Sequence, residues 1–167
     1  IEAINPHINA ITATCYDRAR AEAKTAEQAV LRGEPLGLLH GLPLGVKDLE
    51  ATAGLLTTYG SEIYREHIPA QDNVLVARLR AAGAIVTGKT NIPEMGAGAN
   101  SRNTVWGATG NPFNPNLNAG GSSGGSAAAL ACDLLPVCTG SDTGGSLRIP
   151  ASVCGVVGFR PSPGVVP

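Results

Sequence analysis

The feature that most constrains this chain is a glycine- and serine-rich stretch from Gly120 to Pro150, which reads GGSSGGSAAALACDLLPVCTGSDTGGSLRIP. It holds two serine clusters flanked by glycine, GGSSGGS and SDTGGS, joined by small residues and a short apolar run. Glycine loses the most backbone entropy on folding, so its repeated use indicates backbone that must approach something closely. Alternatively, the backbone N–H groups of such turns can cradle an anion or the oxyanion of acyl transfer. That chemistry needs a nucleophile, which the serines can supply, and a base.

The composition argues against several classes of function. The 167 residues are 43% apolar and 15% charged, as expected for one domain with a buried core. A net charge of −1 and only 4% aromatic residues argue against nucleic-acid binding. No apolar run is long enough for a membrane span and no signal peptide is visible, so we expect a cytoplasmic protein that does not bind membranes. The four cysteines and three histidines are not spaced as metal ligands, so we expect reduced thiols, no metal and no cofactor.

Alternating helix and strand patterns predict an α/β fold, with a sheet covered by helices on both faces. Helices are predicted over residues 16–32, from Asp72 as N-cap to Gly83, and from Gly124 onward. Strands are predicted over residues 8–15, 84–90, 134–140 and 152–159. The tract 91–121 is rich in Asn, Gly and Pro, and we expect a long loop that is ordered over the core.

Two familiar motifs match in letters but fail in their context. Residues 83–90, GAIVTGKT, fit the phosphate-loop pattern GxxxxGK[ST], which must follow a strand and open a helix. Here a helix precedes Gly83 and the letters between the glycines themselves predict a strand. The pattern GxSxG fits at both Ser122 and Ser123, but a nucleophile elbow needs a preceding strand and a later histidine, and none follows His67. Without a histidine, the base must be another residue.

Lys47 is the candidate base. It lies in the run Leu44–Leu49, LGVKDL, whose apolar residues suit either of two environments. In the first, the lysine lies at the edge of a strand and its amine reaches water. In the second, it lies in a dry pocket, where desolvation can lower its pKa enough for it to act as a base. Ser–Lys pairs are an accepted variant of triad chemistry.

The residues GGSSGGSAAA and GSDTGGSLRIPA, with GVKD upstream, resemble the amidase signature family of serine hydrolases. The resemblance runs from about residue 5 to the end of the chain. It implies hydrolysis of a carboxamide C–N bond by a Ser–Ser–Lys triad, on a mixed β-sheet flanked by helices. Family members are considerably longer. Together with the non-Met start at Ile1 and the turn-like end PSPGVVP, this predicts that residues 1–167 form the N-terminal part of a single amidase domain.

The resemblance also assigns roles to individual residues. Ser146 corresponds to the nucleophile, Ser122 to a relay serine that follows a cis peptide bond, and Lys47 to the final base. The resemblance further implies an oxyanion hole formed by the backbone N–H groups of Thr143, Gly144, Gly145 and Ser146. Supporting roles are expected for Ser123, Asp142 and Arg148, of which Asp142 and Arg148 would form a structural pair beside the nucleophile.

Two positions depart from the family pattern, and several functions stay open. Ala119 stands where the family usually has proline, and Ile149 stands where the A subunits of amidotransferases typically carry glutamine. The second departure favours a stand-alone amidase that acts on a small-molecule amide, with a homodimer as the assembly to consider. The alternatives are the glutamine-hydrolysing A subunit of a tRNA-dependent amidotransferase, a phosphate-binding NTPase, and a non-catalytic binding module on the same fold.

Overall fold

The computed structural model describes residues 1–166. Its helices are α1 (Asn5–Ile8), α2 (Tyr16–Leu31), α3 (Val74–Ala81), α4 (Gly124–Ala131) and α5 (Arg148–Cys154). Its strands are β1 (Ile11–Thr14), β2 (Pro43–Lys47), β3 (Ile85–Thr90), β4 (Arg102–Asn103), β5 (Gly107–Ala108) and β6 (Val137–Cys138). Two 3₁₀ turns lie at Glu62–Tyr64 and Glu94–Gly96. No helix in this part of the chain is both long and apolar enough to cross a membrane.

The main sheet has four strands in the order β1-β3-β2-β6. Strand β2 runs parallel to both β3 and β6, whereas β1 runs antiparallel to β3. This mixed sheet flanked by helices confirms the predicted α/β class. Strand β2 lies in the middle of the sheet, and since each face of the sheet is packed against other residues, four of its five residues are buried.

Each face of the sheet packs on its own apolar cluster. On one face, helix α4 presents Ala127, Ala128 and Ala129 to a cluster that includes Ile11 and Leu135. The opposite face carries a second cluster, formed by Ala13, Leu44, Val46, Leu55, Val76, Ala84 and Val86. In the β2–β3 register, Val46 pairs with Lys89 and Lys47 pairs with Thr90. Since neighbouring residues of a strand point to opposite faces, Lys47 and Lys89 project from opposite sides of the sheet.

The structure corrects two predicted elements. Residues 152–159 are not a strand, because Arg148–Cys154 forms α5 and Gly155 ends it in the left-handed conformation (φ 70°). Pro150 is compatible with this helix because it lies in the first turn, where no intrahelical N–H bond is lost. The N-cap of α3 is Asn73, whose side chain accepts a hydrogen bond from Val76 N, and not Asp72. Asp72 instead accepts a hydrogen bond from the Ala53 N–H.

Other elements agree with the sequence, with shifted ends. Strand β1 is shorter than the predicted 8–15, since Asn5–Ile8 is already helical. The predicted strands 84–90 and 134–140 correspond to β3 and the two-residue β6. The segment Gly83–Thr90 is therefore the end of a helix followed by a strand, which excludes the phosphate-loop interpretation.

The tract 91–121 is held by its own hydrogen bonds, with little regular structure. Asn91 Nδ2 donates to Thr109 Oγ1 at 3.0 Å, and Asn103 Nδ2 donates to Asn91 Oδ1 at 2.8 Å. The indole N–H of Trp106 donates to Thr58 Oγ1 at 2.9 Å. The first two bonds lie within the tract, which begins directly after β3, and the third joins the tract to Thr58 in the segment that follows β2.

We expect Gly125→Ala to destabilise the fold, although alanine is the better helix former. A Cβ at this position would lie 2.2 Å from Asn91 N and 2.7 Å from Ala10 O, and neither backbone atom can move freely. The expected loss in the free energy of unfolding is about 2 kcal/mol or more. Gly144→Ala is the matched control, because a Cβ at Gly144 has nothing within 4 Å, and its effect should stay within about 1 kcal/mol. Urea unfolding of both variants measures the difference, and equal stabilities would contradict the prediction.

Candidate active site

Lys47 is the last residue of β2, in the middle of the sheet, and its side chain is fully buried. The strand-edge environment considered for Lys47 is therefore wrong. Its backbone N–H donates to Thr139 Oγ1 at 2.8 Å, which ties the end of β2 to the end of β6. A fully buried amine needs hydrogen-bond acceptors, and three serines provide them.

The Lys47 Nζ donates to three hydroxyl oxygens. The Nζ–Oγ distances are 2.7 Å to Ser122, 2.9 Å to Ser123 and 2.8 Å to Ser141. An ammonium has three N–H donors, and here each has one acceptor. The predicted residues Lys47, Ser122 and Ser123 are thus brought together, with Ser141 as a fourth member of the cluster.

The four residues come from elements that end at the same edge of the sheet. Lys47 ends β2, and Ser141 lies in the loop that follows the parallel strand β6. Ser122 and Ser123 directly precede α4, and the Gly121–Ser122 peptide bond is cis. The carboxyl ends of parallel strands are the usual position of a site in an open α/β sheet. The cis bond lies at the position that the sequence resemblance implied.

Burial controls the protonation of the lysine. Desolvation lowers the pKa of Lys47 from 10.5 to about 8, while the nearby carboxylates Glu50 and Asp142 raise it to a smaller extent. A group with this pKa is neutral in a useful fraction of molecules near pH 8, so it can accept a proton. The site therefore contains a lysine whose lowered pKa follows from its burial in the sheet.

Ser146 is joined to this cluster through the backbone. The Ser123 N–H donates to the Ser146 carbonyl oxygen at 3.0 Å, which holds the second serine motif against the first. The Ser146 residue is half-buried. No hydrogen bond connects its Oγ to Ser122 or Lys47 within residues 1–166, so the structure places the predicted nucleophile beside the cluster without a direct bond to it.

Asp142 organises the loop that carries Ser146. Its carboxylate accepts hydrogen bonds from the backbone N–H groups of Gly145 (2.6 Å), Leu147 (3.3 Å) and Arg148 (3.2 Å). The Arg148 side chain adds bonds of 2.9 and 3.1 Å. Arg148 and the backbone donors hold the pKa of this carboxyl well below its usual range. The predicted pairing of Asp142 with Arg148 is therefore present in the structure.

The hydrogen bonds of Asp142 also separate the four N–H groups for which the family resemblance implies an oxyanion hole into one that is bonded and three that are not. The Gly145 N–H is occupied by Asp142 Oδ1. In contrast, the N–H groups of Thr143, Gly144 and Ser146 donate to no acceptor in the described part of the chain. Thr143 and Gly144 are exposed. Three of the four predicted donors are thus free to bind an anionic oxygen.

A further set of buried hydroxyl groups joins the elements around Lys47. Ser126 Oγ, in the first turn of α4, donates to the Thr139 carbonyl oxygen at 2.7 Å. Thr90 Oγ1 lies 2.7 Å from Ser126 Oγ, and it is the donor in this pair because the Ser126 proton is already used. These two hydrogen bonds join α4 to the end of β3 and to the residue that follows β6, next to the site.

Sequence reasoning missed Ser141 and the buried hydroxyls of Thr139 and Ser126. Ser141 carried a partial signal, since it is the first serine of SDTGGS, the motif that also holds Ser146. The contact of Ser141 with the lysine, and the positions of the Thr139 and Ser126 hydroxyls, depend on the sheet order, which the sequence did not indicate. Across residues 1–166, no group of three or more His, Cys, Asp or Glu side chains is placed to hold a metal ion.

Comparisons with known proteins give a consistent result. A family profile described as Amidase matches residues 1–167. The A subunit of the glutamyl-tRNA(Gln) amidotransferase of Acaryochloris marina is 45% identical over 166 residues, which are 99% of this chain and 34% of that protein. The chain therefore spans about a third of the length of the curated relatives it matches.

Two solved structures are similar in both sequence and fold. One is an inhibitor-bound form of a vestigial protein complex, described as revealing the origins of an s-triazine catabolic enzyme. It is 47% identical with a TM-score of 0.88, and the match covers 93% of this chain and 34% of that one. The other is a bacterial aryl acylamidase of the amidase signature enzymes, 39% identical with a TM-score of 0.86, covering 90% and 32%.

We expect Ser141→Ala to lower the pKa of Lys47 further below its value of about 8. The variant removes an acceptor that stabilises the charged ammonium, and losing such a bond favours the neutral amine. NMR titration of the lysine side-chain signals measures this without any substrate. Ser162→Ala, in an exposed turn, is the control and should leave the titration unchanged. A pKa that stays the same or rises in Ser141→Ala would contradict the prediction.

Proposed function

The chain belongs to the amidase (amidase signature) family, and we propose that it hydrolyses the C–N bond of a carboxamide through an acyl-enzyme on Ser146. The observation that carries this proposal is the contact between a fully buried lysine and a serine hydroxyl, Lys47 Nζ to Ser122 Oγ at 2.7 Å. A lysine with a lowered pKa beside a serine is the arrangement that activates a nucleophile when no histidine is present.

In the proposed acylation step, Ser146 Oγ attacks the carbonyl carbon of the amide. The Ser146 proton passes to Ser122 Oγ, and the Ser122 proton passes to the neutral amine of Lys47. The Ser122 hydroxyl suits this relay, since Lys47 Nζ is the single hydrogen-bond partner of its Oγ in the described structure, which leaves the hydroxyl able to bond to Ser146 as well. Ser123 suits it less, because its Oγ also contacts the Ser141 backbone at 3.3 and 3.4 Å.

The negative oxygen of the tetrahedral intermediate then needs donors that are already in position. We assign this role to the N–H groups of Thr143, Gly144 and Ser146, and leave out Gly145, whose N–H is bonded to Asp142. Preorganised donors of this kind are worth about 2.7–4 kcal/mol each in comparable sites. Asp142 contributes by holding the turn in which these three N–H groups are exposed.

Collapse of the intermediate completes the first half of the reaction. The C–N bond breaks, and the leaving nitrogen takes the proton from Lys47 through Ser122 and departs as ammonia or an amine. Water then attacks the Ser146 ester and gives its proton to the same relay. The ester bond breaks, the carboxylic acid is released, and the proton returns to Ser146.

Glutamine hydrolysis within an amidotransferase is the second candidate. It is favoured by the 45% identity to the A subunit of a glutamyl-tRNA(Gln) amidotransferase, and Ile149, in place of the glutamine typical of those subunits, weighs against it. Ammonia release separates the two candidates when L-glutamine is compared with benzamide and other primary carboxamides. Turnover of glutamine alone, increased by partner subunits, would support the amidotransferase. Turnover of benzamide by the chain without partners would support the amidase.

The proposed triad predicts a specific labelling pattern in the full chain. A fluorophosphonate should form one adduct, on Ser146, that intact mass and peptide mapping can locate. Ser146→Ala should lose the adduct and reduce turnover by at least about 10³-fold. Lys47→Met should slow both by on the order of 10²- to 10⁴-fold, because the relay loses its proton acceptor.

Two matched variants serve as controls for this labelling. Lys24→Met removes an exposed lysine on α2, and Ser162→Ala removes an exposed serine, so both should label at the rate of the unmodified protein. Labelling that persists in Ser146→Ala would remove Ser146 from the role of nucleophile. Near-normal labelling of Lys47→Met would require another base, and binding of a carboxamide without labelling or turnover would favour the binding module.

The activity should rise with pH in the range where Lys47 loses its proton. Its pKa is about 8 in the folded protein, so below that value the rate should fall about tenfold per pH unit, and above it the rate should level off. The dependence of kcat/KM on pH from 6 to 10 measures this limb. A rate that is independent of pH over this range would show that Lys47 is not the base.

A further inference from the structure

A buried serine outside both serine motifs contacts the backbone on either side of Ser122. Ser101 is 2% exposed. Its Oγ donates to the Ser122 carbonyl oxygen at 3.2 Å and accepts from the Gly124 N–H at 2.9 Å. Its own N–H donates to the Gly120 carbonyl oxygen at 3.0 Å. One residue therefore makes three hydrogen bonds to the short segment from Gly120 to Gly124.

The neighbours of Ser101 reinforce this contact. A Cβ on Gly121 would lie 2.7 Å from Asn100 N and 2.8 Å from the Ala99 carbonyl carbon, so the segment 98–101 packs directly on the backbone that precedes Ser122. A Cβ on Gly124 would lie 2.5 Å from Ser101 Oγ. The tract 91–121 is therefore in close contact with the backbone that carries Ser122.

The chemistry at this point requires a hydroxyl. The Ser122 carbonyl needs a donor and the Gly124 N–H needs an acceptor, and a single hydroxyl supplies both. An alanine would leave both backbone groups buried without a partner.

We infer that Ser101 is a positioning residue for the proposed relay, holding Ser122 Oγ at hydrogen-bond distance from Lys47. This inference rests on the proposed function, because it gives Ser122 the role of passing a proton. Ser101 does not contact Lys47 or the reacting atoms, and it acts through the backbone of residues 120–124. Small displacements of reacting groups are costly, since a shift of about 1 Å can reduce a rate roughly 100-fold.

The test is the kinetics of fluorophosphonate labelling at Ser146 in the full chain, with the maximal rate (kinact) and the half-saturating concentration (KI) measured separately. Ser101→Ala should lower kinact by about tenfold or more and leave KI within about twofold. Ser101→Cys keeps a weaker donor and acceptor at this position, on a slightly larger atom, and should lower kinact in the same direction. It serves as the test if the alanine variant is unstable.

Thr109→Val is the matched control. Thr109 is also 2% exposed, and its hydroxyl makes two hydrogen bonds, to Asn9 O at 2.8 Å and from Asn91 Nδ2 at 3.0 Å. This variant should lose a similar amount of thermal stability and keep kinact. The inference is overturned if the Ser101 variants keep kinact within twofold, or if Thr109→Val loses as much kinact at equal melting temperature. An unmodified protein that neither labels nor turns over carboxamides would instead overturn the proposed function, and this role of Ser101 with it.

Discussion

The structure depends on one interaction, the burial of the Lys47 amine at the end of the central strand β2. A buried ammonium must be surrounded by acceptors, and the three hydroxyls that provide them come from the segment before α4 and the loop after β6. These elements must therefore meet at one place. The parallel pairing of β2 with β6 and the docking of α4 on the same face bring them there. The proposed proton relay is thus also what joins these parts of the fold.

The same burial has a cost in stability that depends on pH. Lys47 and Lys89 leave opposite faces of the sheet, and desolvation lowers the pKa of each from 10.5 to about 8. Lys89 Nζ donates to Thr52 Oγ1 at 2.9 Å and to the Glu50 carbonyl oxygen. The unfolded chain binds more protons than the folded one between these pKa values, so the cost is complete below about pH 8 and is relieved as pH rises towards 10.5. Lys47 has a proposed chemical role that accounts for this cost. Lys89 instead stabilises the turn after β2 through its hydrogen bonds to Glu50 and Thr52.

Local signals in the sequence predicted some of these elements but not the others. The α/β class, helix α2 and the start of α4 followed from periodicity and helix ends, because these signals are local. Residues 152–159 were predicted as a strand from their β-branched content, yet Pro150 and Gly155 fit the two ends of a short helix. The contact of Ser141 with Lys47 depends on the parallel pairing of β6 with β2, and the contact of Ser101 with the backbone around Ser122 depends on the path of residues 91–121. Neither contact was predicted, since contacts between distant segments leave no local pattern.

The two glycine-rich motifs illustrate why one composition can serve two purposes. In GGSSGGS, glycine is needed for space, since side chains on Gly121 and Gly124 would collide with residues 99–101. In SDTGGS, Gly144 has nothing within 4 Å of its missing Cβ, so space is not what requires it. There the backbone faces an opening, and in the described part of the chain the N–H groups on either side of the one bonded to Asp142 stay without a partner. The glycines of the first motif therefore serve packing around Ser122, whereas Gly144 of the second leaves its backbone exposed beside Ser146. The glycine-rich sequence alone does not distinguish these roles. The atoms that surround each glycine in the structure distinguish them.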